Sequence, residues 1–223
     1  MVRRVSAKQV ASAAEEICEV CRWLHDRNLL AAADGNVSVR LADGRILITP
    51  SGVSKARLRP AQMALLSPNG HALRGSPSSE RGMHLAILGT CPDARAVVHA
   101  HPPTAIAWTV AHPELSELSS TALPEVVLAT GGLPVVPYAR PGTDAVAAAL
   151  APLLPRFRAL VLARHGAVCW GESLGEAYDG IERIEHVAQI LKAARDLGGV
   201  TGMPAEEVAE LRRIRGTTDA RVR

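Results

Sequence analysis

The chain has 223 residues, 48% of them hydrophobic and only 3% aromatic, and 25 Lys+Arg against 22 Asp+Glu leave a net charge of +3. This length suits one domain with one core, which Ala, Val, Leu and Ile must fill. So small a charge argues against a polyanionic partner, and so few aromatics argue against a base-stacking surface, so nucleic acid is not an expected partner.

The start, Met1-Val2-Arg3-Arg4-Val5, is charged but not followed by an apolar run. No secretory signal or transmembrane helix is therefore expected, and the protein is assigned to the cytoplasm, away from membranes. Ser6-Ala7-Lys8-Gln9 has the form of a capping box, and Val10, Ala13, Ile17, Val20, Cys21 and Leu24 continue at helical spacing, which predicts a helix to about Leu30. Cys18 and Cys21 fall inside that helix. Without a second pair at ribbon spacing they read as core. Gly35 to Leu41 alternates apolar and polar, Asp43-Gly44 follows, and Arg45 to Thr49 is apolar again, which predicts a hairpin. Asn36-Val37-Ser38 matches a glycosylation sequon that a cytoplasmic chain would not use.

After Pro50-Ser51-Gly52 and an irregular stretch, Pro77-Ser78-Ser79-Glu80 opens a helix through about Leu88. A strand carrying His99 and His101 follows and ends at Pro102-Pro103. Strands are predicted at Glu125 to Ala129 and Leu133 to Pro137, a helix at Thr143 to Leu154, and a strand from Ala159 that ends in His165. Ser173-Leu174-Gly175-Glu176 caps a long helix with Ile181, Ile184, Val187 and Leu191 on one face, stopping at Gly198-Gly199. Hairpins mixed with helices point to one helix-covered sheet with substantial antiparallel pairing. Residues 1–200 form one domain in this reading, and 201–223 a C-terminal helix and a basic, solvated tail containing Arg212-Arg213 and Arg221-Val222-Arg223.

The chemistry concentrates around the histidines. His99 and His101, at i and i+2 in an apolar, β-branched setting, point to one face of a strand as a ready pair of metal ligands. A catalytic zinc commonly takes three protein ligands and leaves a fourth position open, and His165 at the polar end of its own apolar run is the third candidate. Gly35-Asn36, Ser51-Gly52 and Ser78-Ser79 are short clusters whose N–H groups and hydroxyls can hold an anion, the last with the help of a helix dipole. Glu80 could ligate a metal, act as a base or cap its helix. His84, one turn on, reads as a residue near the site but off the metal. Gly171-Glu172-Ser173-Leu174-Gly175 has the form of a hydrolase nucleophile elbow. However, the one later histidine, His186, lies 13 residues further along the same helix, on the order of 20 Å away, so Ser173 reads as an N-cap.

Gly35-Asn36-Val37-Ser38-Val39-Arg40, Thr49-Pro50-Ser51-Gly52, Pro77-Ser78-Ser79-Glu80, Val97-Val98-His99-Ala100-His101 and Arg164-His165-Gly166, in this order, resemble the zinc-dependent class II aldolase/adducin family over about residues 8–195. The resemblance implies a three-layer α/β/α fold with a largely antiparallel central sheet, and a cyclic homotetramer with active sites at its interfaces. It implies one Zn2+ per chain on His99, His101 and His165, with Glu80 completing the resting site and carrying the proton. Gly35, Asn36, Ser51, Gly52, Ser78 and Ser79 would grip the phosphate of a small sugar substrate. The activity implied first is retro-aldol cleavage of a phosphorylated ketose to dihydroxyacetone phosphate and an aldehyde. Family aldolases carry a tyrosine before their Gly-Gly and another near the C-terminus. Here the first segment offers Glu125, and no Tyr follows Tyr178. Glu125 is therefore the candidate second acid–base residue, supplied across a subunit interface. The missing late tyrosine tells against the family's epimerases, while the resemblance keeps two alternatives open: a dehydratase of a ketose 1-phosphate, a branch with a glutamate in a place comparable to Glu125, and a decarboxylase of a sugar-acid phosphate, which shares the zinc site. The three retained histidines tell against a non-catalytic adducin-like scaffold.

Overall fold

Ser6 opens helix α1 (Ala7–Asp26) with the predicted capping box, its hydroxyl accepting from the Gln9 N–H. The structure, a computed structural model, describes residues 5–221; the charged start at 1–4 and the end of the basic tail at 222–223 lie outside the described residues. Helix α1 stops four residues before Leu30, because Asn28 takes a left-handed φ of 59° and the Leu29 N–H turns back to the Leu24 carbonyl at 2.8 Å. Leu29 and Leu30, which extend the apolar pattern in sequence, are buried beyond that turn.

The Asp43-Gly44 hairpin joins β1 (Asn36–Arg40) to β2 (Ile46–Ile48). The stretch read as irregular holds two three-residue strands, β3 (Ala64–Leu66) and β4 (Ala72–Arg74), too short to show an alternation. Then come α2 (Arg81–Thr90), β5 (Ala96–Ala100), α3 (Pro103–Ala111), β6 (Glu117–Leu118), α4 (Pro124–Thr130), β7 (Leu133–Val136), α5 (Asp144–Leu150), β8 (Ala159–Leu162), β9 (Gly166–Gly171), α6 (Leu174–Asp196) and α7 (Ala205–Arg221). The strands form one sheet in the order β4-β3-β2-β1-β5-β9-β8-β7-β6, antiparallel throughout except between β7 and β8.

Three sequence expectations are corrected. Residues 125–129 are helical: Pro124 takes the first helical position of α4 and Gly131, at φ 74°, its C-cap. The helix predicted to Leu154 ends at Leu150 and continues only as a 3-10 turn, Ala151–Leu153. His165 sits in the turn between β8 and β9, outside both strands. Ser173 does cap α6, accepting the Glu176 N–H at 3.1 Å, and its hydroxyl is thereby committed to the helix.

Strand residues alternate between two cores, which makes the fold a three-layer α/β/α sandwich. Val37, Leu47, Val98, Val161 and Cys169 pack with Ile17 and Leu24 of α1 and Ile181 and Ile184 of α6. On the other face Ile48, Val97, Leu160, Val168 and Trp170 pack with Met83 and Ile87 of α2 and Leu150 of α5. Cys18 and Cys21 belong to the first core. Helix α7 packs on α4, with Val208 and Leu211 buried. Among the described residues no helix is long and apolar enough to cross a membrane.

Register places the polar side chains. Asn36 lies directly across from His99, and Ser38 from Val97, so the period-2 rule sends Asn36, Ser38 and His99 to the α2 face of the sheet.

Candidate active site

Three short backbone devices converge the histidines. The His99 Nδ1 donates to the Ala167 carbonyl at 2.9 Å, since a carbonyl can only accept, and this leaves the Nε2 lone pair facing the cleft. His101 follows β5 immediately and is tied by its own N–H to the Leu29 carbonyl at 2.8 Å, in the turn that ends α1. His165 is aimed by Arg164, a non-glycine residue at φ 59° whose N–H is held by the Thr109 hydroxyl at 2.8 Å. The three ring centroids stand 4.7, 5.0 and 5.3 Å apart, and one nitrogen from each histidine falls within 4.8 Å of the others. Among the described residues this is the one group of His, Cys, Asp or Glu with such spacing.

Gly166 makes the convergence possible. A Cβ at this position would lie 2.4 Å from the Ala100 carbonyl oxygen, 2.9 Å from the His101 ring and 3.0 Å from the His99 ring. Gly166→Ala should therefore displace both imidazoles and cost about 1–3 kcal/mol. Chemical denaturation and metal titration would check this together; wild-type stability with intact metal affinity would show that the close approach is unimportant.

Glu80 occupies the N-cap position of α2 without capping it; the Ser78 hydroxyl instead accepts the Glu80 N–H at 3.2 Å. The freed carboxylate spans the histidines, with Oε2 3.2 Å from His99 Nε2 and Oε1 3.2 Å from His165 Nε2. The Asn36 amide donates to Oε2 at 2.8 Å. Burial pulls the Glu80 pKa upward, but His165, His99 and the Asn36 amide outweigh it and hold the carboxyl well below the usual carboxylate range. Burial, with His99 and His165 close by, pushes His101 down to about 3.

This donor set fits a divalent cation. The Nε2 atoms of His99 and His101 stand 3.2 Å apart, close enough for both to bind one ion. The buried Glu80 Oε1 has no aligned hydrogen bond despite its His165 neighbour. Three imidazoles and one carboxylate around a shared centre are ligands that zinc accepts.

Behind Glu80 runs a hydrogen-bond chain whose direction is determined. Because the Asn36 amide nitrogen donates to Glu80, the Asn36 carbonyl accepts from His84 Nε2, and since burial keeps the His84 ring neutral its Nδ1 accepts from the Ser38 hydroxyl at 2.7 Å. His84 is near the site and off the histidine cluster, as its sequence position suggests. It is fully buried, and burial, with His99 close by, pushes its pKa down to about 3. Unfolded, it titrates near 6.5. Between about 3 and about 6.5 only the unfolded state binds the proton, so stability should fall as pH drops through that window, by up to about 1.4 kcal/mol per unit from this group. His84→Gln, which can keep both hydrogen bonds without titrating, should flatten the slope of unfolding free energy against pH by close to one proton. An unchanged slope would locate the acid sensitivity elsewhere.

All six residues expected to hold phosphate line one cleft of about 330 Å³ together with Glu80, His101 and His165. Their parts differ. Ser51, Gly52 and Ser79 are exposed, whereas the Asn36 amide is engaged by Glu80 and His84. Gly35, at φ 66°, runs so close to β5 that a Cβ would meet the Leu30 side chain at 2.2 Å and the His99 carbonyl at 2.7 Å. Two further cleft residues were not singled out from sequence: Asp34, 3.7 Å from His101 Nδ1, and Lys55, buried beside the Ser51-Gly52 turn. The signal for Asp34 was its place directly before Gly35-Asn36; Lys55 depends on tertiary folding. Glu125 is exposed on α4 and is not a wall of this cleft.

A nine-stranded α/β/α sandwich presenting three histidines and a carboxylate in a polar cleft has the donor set of a metal-site protein. The sequence matches the family described as Class II Aldolase and Adducin N-terminal domain over residues 15–191. It is 35% identical over 212 residues to 3-oxo-tetronate 4-phosphate decarboxylase of Escherichia coli strain K12, covering 92% of this chain and 98% of that one. It is 31% identical over 176 residues to L-fuculose phosphate aldolase of Methanococcus maripaludis, covering 78% and 93%. The crystal structure of YgbL from Escherichia coli, named for three candidate activities, aldolase, epimerase and decarboxylase, superposes with a TM-score of 0.86 at 34% identity, covering 91% and 99%. The chain belongs to the class II aldolase and adducin family and is an enzyme of it.

Proposed function

We propose that the protein is a zinc-dependent decarboxylase of a four-carbon, phosphorylated 3-oxo sugar acid, the third of the activities raised by the sequence. Retro-aldol cleavage, raised first, is supported at the level of the family; the finer reading rests on similarity to the decarboxylase over nearly the whole of both chains. The missing tyrosines favour the same choice. Retro-aldol cleavage must take a proton from the hydroxyl that becomes the aldehyde, which requires a second acid–base group. Carbon dioxide departs with no such proton transfer.

In a 3-oxo-tetronate 4-phosphate the ketone at C3 lies β to the carboxylate. When the C1–C2 bond breaks, its electron pair stays on C2, delocalised into the C3 carbonyl, and a proton delivered to C2 gives dihydroxyacetone phosphate. A divalent cation held by His99, His101 and His165 supplies Lewis-acid polarisation of the ketone oxygen. Glu80, whose carboxylate lies beside His99 and His165 and accepts from the Asn36 amide, is placed to carry the proton. Ser51, Gly52, Ser78 and Ser79 seat the phosphate, with Gly35 and Asn36 shaping the wall. The reading includes a cytoplasmic homotetramer with interfacial clefts, to which Glu125 of a neighbouring copy belongs if the reaction is instead a dehydration.

The test is a panel of ketose phosphates and sugar-acid phosphates incubated with the zinc-loaded protein, with products identified by mass. Carbon dioxide with dihydroxyacetone phosphate supports the proposal. An aldehyde with dihydroxyacetone phosphate establishes the aldolase, and loss of water the dehydratase.

A further inference from the structure

We propose that Lys55 is the cation that recognises the substrate's phosphate dianion, by bringing an ammonium to the cleft wall and by tying together the two loops that form it. The inference rests on reading the cleft as the seat of a phosphorylated substrate.

Lys55 begins a 3-10 turn, Lys55–Arg57, and is 2% exposed. Its ammonium donates to the Ala33 carbonyl at 2.7 Å and to the Val53 carbonyl at 2.9 Å. Ala33 leads into Asp34-Gly35-Asn36, and Val53 follows Ser51-Gly52, so a single side chain holds both segments in register. An ammonium has three N–H donors, and these carbonyls take two. Among the described residues no carboxylate forms an ion pair with it.

A buried, uncompensated charge is costly and calls for a counter-ion. Burial lowers the Lys55 pKa, while Cys21, Asp34 and Glu80 act in the opposite direction and favour the charged form. Lys55 is also the one Lys or Arg among the residues lining the cleft, where Asp34 and Glu80 carry negative charge. Hydroxyls and backbone N–H groups alone would leave a dianion facing those two carboxylates. Lys55 offsets one of those two negative charges where the hydroxyls cannot, and an arriving anion gives its ammonium a counter-charge.

The experiment compares wild type with Lys55→Met and with Lys55→Gln, which keeps an N–H donor for the loops but no charge. Binding of dihydroxyacetone phosphate and of inorganic phosphate is followed by calorimetry, and turnover is measured on the phosphorylated and the unphosphorylated 3-oxo acid. Both variants should bind the two phosphates roughly tenfold or more weakly. In Lys55→Gln, which keeps a donor for the loops, KM should rise by a larger factor for the phosphorylated substrate than for the unphosphorylated acid. Wild-type phosphate affinity in Lys55→Gln would overturn the proposal, as would an equal loss on both substrates, which would mark a loop clamp only. If wild type decarboxylates nothing, the decarboxylase reading fails while the phosphate titrations still decide the role of Lys55; if wild type binds neither phosphate, this inference fails too.

Discussion

Glu80→Gln is expected to keep bound metal and to lose about 10²–10⁴-fold in turnover, the range associated with a positioned proton carrier. The substitution preserves size and one oxygen, and the Asn36 amide can still donate to that oxygen. What disappears is the ability to hold and release a proton beside His99 and His165, from which the carboxylate oxygens now stand 3.2 Å. The backbone of α2 should be indifferent, because the Glu80 side chain caps nothing and the Ser78 hydroxyl serves its N–H. Equal turnover in the variant and the wild type, at equal metal content, would remove Glu80 from the chemistry.

Loss of either of two imidazoles should be as severe for the metal. His99→Ala and His165→Ala each remove one of three nitrogen donors, and affinity should fall by more than the ~10–100-fold typical of losing an outer partner. His99 has the larger expected effect, since it is fully buried, fixed by Ala167 and in contact with both His101 and Glu80. His25 and His71, both exposed and remote from the cluster in the hydrogen-bond pattern, serve as controls. Metal analysis after dialysis would read the result. Full occupancy in both ligand variants would sink the assignment.

Much of this was legible in the sequence wherever the signal is local. The Ser6 and Ser173 caps and the Asp43-Gly44 hairpin depend on a few adjacent residues and appear where expected, while of the histidine doublet His99 lies in β5 and His101 just beyond its end. Helix α4 was misread because Val126, Val127 and Leu128 look like a strand over so short a span. The better signals were the bracketing residues, Pro124 at the first helical position and Gly131 at the cap. The end of α1 was misplaced for a different reason: Leu29 and Leu30 keep the apolar period but are buried by a turn that also anchors His101. The roles of Asn36, His84, Ser38 and Lys55 could not be read locally. Each follows from the pairing of β1 with β5, from the seat of α2 above them, or from two loops brought together by one ammonium. A donor chain across 46 or 48 residues of sequence leaves no spacing to recognise.

Release of carbon dioxide from a phosphorylated 3-oxo acid in this cleft is measured most directly with 3-oxo-tetronate 4-phosphate labelled with ¹³C at the carboxylate and the zinc-loaded protein in D₂O. One labelled carbon dioxide should appear for each dihydroxyacetone phosphate formed, with one deuterium incorporated at the former C2, and Glu80→Gln should slow the release by about 10²–10⁴-fold. An intact labelled substrate, alongside cleavage of a ketose phosphate to an aldehyde by the same preparation, would contradict it.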